Sequence, residues 1–136
     1  MLPGGPDASL QLIVADLGTT EAFYAGILEL PVRRAFALPG TPEHLVLAQN
    51  GWELVFVEAE TVIRAYPQLE GSFSTYPRGV GLILQFRVTG IEDIYEAILE
   101  EELEIFCPLE EKPYGIKELW CFDPDGYLVM LVEPAK

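Results

Sequence analysis

Few residues of this chain are of types that do chemistry at a metal or as nucleophiles. There is one histidine, His44, and the two cysteines, Cys107 and Cys121, have no C-x-x-C or other metal-binding spacing. We expect both cysteines to be buried, reduced thiols, with a disulfide or a reactive thiol as open alternatives. The sequence has no glycine-rich phosphate loop and no serine between turn glycines, and a serine–histidine–aspartate triad would depend on His44 alone.

The composition indicates one domain with a substantial core and an acidic surface. Half of the 136 residues are hydrophobic, and the net charge is −14. This charge argues against nucleic acid and anionic membranes as partners, because there is no basic surface to meet their phosphates. No segment approaches the roughly 20 apolar residues of a membrane span, and the first residues do not resemble a signal peptide, so we expect a cytoplasmic protein. The acidic balance either attracts a cationic small molecule or only keeps the chain soluble.

The elements that must position any site occur twice. One predicted hairpin turns at Asn50-Gly51 and a second at Asp123-Pro124-Asp125-Gly126, so the turn glycines are 75 positions apart. A strand pattern followed by a helix pattern precedes each hairpin, with the strands over 9–15 and 83–89.

The repeat predicts an α+β fold. Each unit would be a βαβββ module, at about residues 8–58 and 81–134, within a single domain that covers 1–136. The connector, about 59–80, is predicted to contain one short helix near 61–65. One module cannot bury both faces of its sheet, so we expect the two to pair into a curved mixed sheet with helices on the convex face and a cavity on the concave face.

Local signals predict where some elements begin and end. Asp16 to Thr20 supply turn and capping groups for the first helix, and Pro31 ends it. Residues 31–43 are rich in proline and predict a loop or an irregular edge strand. Thr89-Gly90-Ile91-Glu92 resembles a capping box for the second helix.

With these motifs in this order, the chain resembles the vicinal oxygen chelate superfamily, which includes glyoxalase I, extradiol dioxygenases and the fosfomycin- and bleomycin-resistance proteins. The resemblance covers about residues 8–134. It depends on two pairs of motifs: Val14-Ala15-Asp16-Leu17 followed by Phe23-Tyr24, and Pro113-Tyr114-Gly115 followed by Asp123-Pro124-Asp125-Gly126. One scaffold hosts many chemistries, so the site residues must decide the function.

The resemblance implies where a metal would be held. Metal-dependent members place a histidine at the start of each module's first strand and a glutamate on the outgoing strand of each hairpin. Carried over to this sequence, the histidine positions are Ser9 and Ile83, and the glutamate positions are Val55 and Met130. None of these side chains is a normal ligand in a nitrogen-and-oxygen site. We therefore expect a metal-free member with no cofactor.

Strand parity predicts which side chains line the cavity, because residues two positions apart share a face of a strand. Combined with the resemblance, which places Trp120 inward, parity gives an apolar and aromatic lining with a few polar groups, as is usual for a small-molecule site. The expected ligand-binding residues are Trp120, Phe122, Glu118, Met130, Gln11, Gln85, Arg87, Glu53 and Tyr114. The same parity places His44 opposite an inward-facing Leu45 and Leu47.

These residues also have structural interpretations, which stay open. Trp120 and Met130 could simply pack against each other, and the two glutamines could bond each other or water. Arg87 could form an ion pair with Glu118 or Glu53.

The resemblance implies a binding protein of the bleomycin-resistance type, which sequesters a small molecule by shape, stacking and charge and so contributes to antibiotic resistance. Trp120 would stack on an aromatic ligand, while Glu118 and Glu53 would meet its positive groups. One alternative is a glyoxalase-like lyase or isomerase, or a dioxygenase, with an atypical metal site or with Glu118 as an acid–base catalytic residue whose pKa an apolar pocket raises. Another is a degenerate scaffold that serves as an interaction subunit. The family also implies a homodimer, with modules paired within a chain or exchanged between chains.

Overall fold

Two four-stranded mixed sheets, one in each half of the chain, form the framework of the protein. The computed structural model describes residues 8–36, 42–49 and 52–135. The chain divides into two units, residues 1–75 and 76–136, and each contains one sheet. The turn at Asn50-Gly51 lies outside the described residues.

The first sheet has the strand order β1-β4-β3-β2. Its strands are β1 (Leu10–Val14), β2 (Val32–Ala35), β3 (His44–Gln49) and β4 (Trp52–Glu58). β1 is parallel to β4, and the other pairs are antiparallel. The proline-rich stretch after the first helix therefore contains an edge strand, as one of the two alternatives predicted.

The second sheet repeats this arrangement, with the order β5-β8-β7-β6. Its strands are β5 (Ile83–Arg87), β6 (Ile105–Glu111), β7 (Ile116–Phe122) and β8 (Leu128–Pro134). β5 is parallel to β8, and the other pairs are antiparallel. The predicted α+β fold of two βαβββ modules is confirmed. The pairing of the two modules into one curved sheet stays a prediction.

A helix follows the first strand of each module. Helix α1 (Leu17–Glu21) continues into a π-helical segment, Ala22–Ile27. Its N-cap is Asp16, as predicted, and the carboxylate accepts hydrogen bonds from the backbone N–H of Thr19 at 2.8 Å and from its hydroxyl at 2.9 Å.

The connector and the second module contain the other helical segments of the described residues. The connector contains α2 (Ala59–Ala65), a 3₁₀ turn (Pro67–Leu69) and α3 (Glu70–Phe73), of which only α2 was predicted. The second module contains α4 (Ile91–Glu100). None of the helices in the described ranges is long and apolar enough to cross a membrane.

A glutamate at the end of each module's last strand caps that module's helix. The Glu58 carboxylate accepts a hydrogen bond from the backbone N–H of Leu17 at 2.9 Å. Glu133 accepts from Gly90 at 3.1 Å and from Ile91 at 2.9 Å. The capping box predicted at 89–92 is therefore wrong. The N-cap is Gly90, with φ 76°, and it has no side chain to offer, so a carboxylate from β8 takes that role.

Each sheet buries one face under its own module's helix. In the first module Tyr24 packs on Phe56, with ring centroids 4.9 Å apart. In the second, α4 packs on β7 and β8 through Ile91, Ile94 and Ile98. The buried strand residues on these helix-covered faces alternate along the chain: Leu12, Val14, Leu45, Leu47, Leu54 and Phe56 in the first sheet, and Leu84, Phe86, Leu119, Cys121, Val129 and Leu131 in the second. We call the opposite face of each sheet its open face.

Candidate functional site

The open face of the second sheet carries most of the predicted site residues, in three rows across strands β5, β8 and β7. Directly opposed residues on neighbouring strands share a face, so the register fixes each row. The rows are Ile83–Leu128–Phe122, Gln85–Met130–Trp120 and Arg87–Val132–Glu118. The predicted parity of this module is therefore correct. The middle row places Trp120 beside Met130, at the position of a metal-binding glutamate in metal-dependent relatives.

Three aromatic rings form a cluster on this face. Phe106 of β6 lies with its ring centroid 6.1 Å from that of Trp120 and 6.1 Å from that of Phe122. Phe106 is 58% exposed, while Trp120 and Phe122 are partly buried. We call these three residues the aromatic cluster. The Phe106 ring is inclined by 56° to Trp120 and by 78° to Phe122, so the cluster offers separate apolar ring faces on which a ligand ring can stack.

Glu118 is bound to two donors beside this cluster. The hydroxyl of Tyr114 donates to one carboxylate oxygen at 2.5 Å, and Nε1–H of Trp120 donates to the other at 3.3 Å. The bond from Tyr114 is the largest cause that lowers the pKa of Glu118, and the bond from Trp120 acts in the same direction. The same contact raises the pKa of Tyr114. The raised pKa of Glu118 that the metal-free enzyme alternative assumed is therefore wrong, because both donors favour the charged carboxylate over the protonated acid.

Arg87 lies in the same row as Glu118 but does not bind it. Val132 stands between them, and Arg87 makes no ion pair within the described part of the chain. The structure therefore does not contain the Arg87–Glu118 pair that we considered. Arg87 and Gln85 are both exposed.

The first module has the same register with different side chains. Gln11 is opposed to Val55 as Gln85 is opposed to Met130, so the two glutamines are equivalent. Val46 is opposed to Val55, at the position that Trp120 has in the second module. Glu53 is opposed to Ala48 and is partly buried on this same open face. Whether Gln11 and Glu53 share one site with Trp120 stays a prediction.

One face assignment in the first module is wrong. Leu45 is opposed to Phe56 and Leu47 to Leu54, so both leucines lie on the helix-covered face and are buried. His44 alternates with Leu45 and therefore lies on the open face. Its Nδ1 is 3.4 Å from the carbonyl oxygen of Pro42, and its side chain is partly exposed.

The side chains at the carried-over metal positions do not fit a divalent ion. Val55 and Ile83 offer only hydrocarbon, Met130 offers a thioether, and Ser9 is exposed just before β1. In residues 8–36, 42–49 and 52–135, no group of three or more histidine, cysteine, aspartate or glutamate side chains is placed to hold a metal. This donor chemistry does not match the nitrogen-and-oxygen site of metal-dependent relatives.

The two buried aspartates of the second turn have structural roles. Asp123 accepts hydrogen bonds from the backbone N–H groups of Asp125 at 2.8 Å and Tyr127 at 3.0 Å. Asp125 forms an ion pair of 2.5 Å with Arg78, which anchors the end of the connector to this turn. Gly126 has φ 88°, and a Cβ there would lie 2.5 Å from the Pro77 Cβ. The turn motif therefore maintains the fold and presents no acid to a ligand.

Neither cysteine is in a disulfide. Cys121 is buried, and burial raises the pKa of its thiol to about 12. Cys107 is only partly buried, so the expectation of two buried thiols holds for Cys121 alone.

Phe106 is the residue of the aromatic cluster that the sequence did not indicate. β6 shifts its register twice against β7, between Ile105 and Cys107 and again between Cys107 and Glu110. Simple alternation along β6 therefore does not show which of its side chains reach the face of Trp120.

The fold and the residues above agree with comparisons to known proteins. The chain belongs to the Glyoxalase/Bleomycin resistance protein/Dioxygenase superfamily, whose model matches residues 8–131. No curated protein matches it.

Solved structures show the same fold. A hypothetical protein from S. aureus is 13% identical, with a TM-score of 0.69 over 93% of this chain and 92% of that chain. A glyoxalase family protein from Enterococcus faecalis is 26% identical, with a TM-score of 0.55 over 92% and 94%. A member of the Glyoxalase/bleomycin resistance protein/dioxygenase superfamily from Sphaerobacter thermophilus is 19% identical, with a TM-score of 0.59 over 93% and 96%.

Proposed function

We propose that this chain is a metal-independent protein that binds and sequesters an amphipathic, aromatic small molecule, as expected for a member of the bleomycin-resistance type. The observation that carries this proposal is the aromatic cluster on the open face of the second sheet, with Glu118 bonded to Trp120 beside it. An apolar surface with a few fixed polar groups is the usual composition of a small-molecule site.

The hydrogen bonds around Trp120 support a binding role. Its Nε1–H is satisfied by Glu118, and Glu118 is in turn bound by Tyr114, so the indole is oriented before a ligand arrives. A ring that is already fixed loses little conformational entropy when a ligand stacks on it. A residue that only fills the core would instead be buried like Leu119, whose side chain points to the other face.

Metal independence is supported by the donor chemistry at the carried-over positions. Val55 and Met130 occupy the glutamate positions, and their side chains lack oxygen. Metal-dependent lyase or dioxygenase chemistry would require other ligands. The metal-free acid–base alternative is weakened as well, because the pKa of Glu118 is lowered and the carboxylate holds no proton to donate near neutral pH.

A fluorescence screen of chelator-treated protein tests the proposal. Amphipathic aromatic compounds, antibiotics included, are titrated while tryptophan emission is followed. We expect a binder whose affinity is unchanged by the chelator. Trp120→Ala should then weaken its binding by about 2 kcal/mol or more.

The matched control is Trp52→Ala, since Trp52 is 47% exposed and belongs to the first module. It should leave the affinity unchanged. Equal affinities of the Trp120→Ala variant and the parent protein would remove the aromatic cluster from the site. A role in antibiotic resistance, a homodimer and a cytoplasmic location belong to the same proposal. Light scattering in solution measures the oligomeric state.

A further inference from the structure

Most positive charges in the described part of this acidic chain form ion pairs, but two arginines do not. Seven lysines and arginines lie among the described residues. Five of them form ion pairs: Arg34, Arg64, Arg78, Lys112 and Lys117. Of these, Lys112 lies beside the second open face, where it pairs with Glu110 near Glu118. Arg33 and Arg87 make no ion pair with any described residue.

Both unpaired arginines lie on open faces. Arg33 is opposed to Val46, in the row of Gln11 and Val55, and Arg87 is opposed to Val132 on the face of the aromatic cluster. In a chain with a net charge of −14, acidic partners are abundant. Each open face thus carries one arginine that makes no ion pair with a described residue.

The distance from Arg87 to the aromatic cluster suits one small molecule. β5 and β7 are separated by β8, and Arg87 lies one row from Trp120, so their Cα atoms are two strand spacings and two residues apart, or about 12 Å. An arginine side chain has a long flexible stem and five N–H donors in a planar fork. It can therefore approach an oxyanion on a molecule whose ring stacks on Trp120.

Glu118 is less suited to recognise a cation than the sequence suggested. Each of its oxygens already accepts a hydrogen bond, one from Tyr114 and one from Trp120. Each oxygen keeps a second lone pair, but the nearby Lys112 ammonium already offsets part of the negative charge of Glu118. Arg87 has no ion pair with a described residue to offset its positive charge.

We infer that the ligand carries an anionic group, a carboxylate or another oxyanion, that the Arg87 guanidinium binds while its aromatic part stacks on Trp120. This inference rests on the proposed binding function and specifies the charge of the ligand. It differs from the expectation of a possibly cationic ligand, which was based on Glu118, Glu53 and the acidic surface and stays a prediction.

Three probes with the same ring and different charge test the inference: the anion naphthoate, the neutral naphthalenemethanol and the cation naphthylmethylammonium. Binding is followed by NMR through the indole N–H signals, of which the chain has two. A Trp52→Phe variant assigns the signal of Trp120. We expect naphthoate to bind most tightly and the cation least.

Arg87→Gln should then weaken naphthoate binding roughly fivefold or more and leave naphthalenemethanol unchanged. The matched control is Arg64→Gln, which removes one positive charge from an exposed helix position and should change neither.

Each other outcome has a distinct meaning. If no probe shifts the Trp120 signal, the proposed ring site fails and the anion inference with it. If all three bind equally, or the cation binds best, the ring site stands and the anion inference is overturned. It is also overturned if Arg87→Gln and Arg64→Gln have the same effect on naphthoate.

Discussion

The open faces of the two modules share one register but differ in side chains. Across equivalent strands the first face has Gln11, Val55 and Val46, and the second has Gln85, Met130 and Trp120. The glutamine is retained, while two valines correspond to a methionine and a tryptophan. Beside the glutamine, the first row has two small aliphatic side chains, whereas the second has a polarisable thioether and an aromatic ring suited to stacking.

The supporting frame, in contrast, is repeated. Glu58 and Glu133 are 75 positions apart, and each caps the helix of its own module. Such a cap satisfies backbone donors wherever the helix begins, so it is kept in both copies. The comparison teaches that the scaffold is duplicated and that the chemistry on its faces is not.

The largest predicted effect concerns the second turn, where the modules also differ. Asp125→Ala should lower the free energy of unfolding by about 3 kcal/mol, because it removes the 2.5 Å ion pair that Asp125 forms with the largely buried Arg78. Chemical denaturation followed by circular dichroism measures this.

Glu60→Ala is the control, since it removes an exposed helix pair with Arg64 in the first half of the chain. It should change stability very little. If both variants lose the same stability, the ion pair at the second turn is no more important than a surface contact.

An intermediate effect tests the equivalence of the caps. Glu133→Ala should cost about 1.5 kcal/mol and Glu58→Ala about 1 kcal/mol of unfolding free energy, since Glu133 accepts two backbone hydrogen bonds and Glu58 accepts one. Glu96→Ala, an exposed change of equal charge on α4, serves as the reference for denaturation. If only one of the two substitutions lowers the free energy of unfolding, the two caps do not contribute equally to stability.

The smallest effect is a change in pH dependence at Glu118. Its pKa is lowered in the folded protein, so the stabilisation that it provides is present above the ordinary glutamate range and is lost as the pH falls through the folded pKa. Tyr114→Phe removes the largest cause and should move that pKa upward. The Trp120 indole N–H signal, followed against pH by NMR, reports it.

Tyr66→Phe, which removes an exposed hydroxyl from the first unit, should leave the titration unchanged. An identical midpoint in Tyr114→Phe and the parent protein would contradict the hydrogen-bond assignment.

The sequence predicted the parts of the fold and site that depend on pattern. The resemblance placed Trp120 inward, alternation placed Gln85, Arg87 and Met130 on what the register shows to be the same face, and the repeat predicted both modules.

The sheet face predicted for Leu45 and Leu47 was wrong because the two hairpin turns differ in length. Two residues separate the opposed Gln49 and Trp52, while three separate Asp123 from Tyr127, which are joined by a backbone hydrogen bond of 2.9 Å. The repeat offset therefore changes from 74 before the turn, as between Gln11 and Gln85, to 75 after it. A slip of one residue exchanges the faces of a strand.

The hydrogen bonds that Glu118 accepts from Tyr114 and Trp120 could not be predicted from the alternation of residues along the strands. Tyr114 reaches it from the turn before β7, so the bond depends on side-chain direction and not on strand parity. The same holds for Phe106, whose strand is irregular.

One titration tests the central claim, that the second open face binds its ligand without a metal. Protein stripped with chelator is titrated with naphthoate while both indole N–H signals are recorded, and the experiment is repeated after a divalent transition metal is added. We predict that the Trp120 signal shifts to saturation with the same affinity in both cases, while the Trp52 signal stays in place. A Trp120 shift that requires stoichiometric metal, or a shift at Trp52 alone, would contradict the claim.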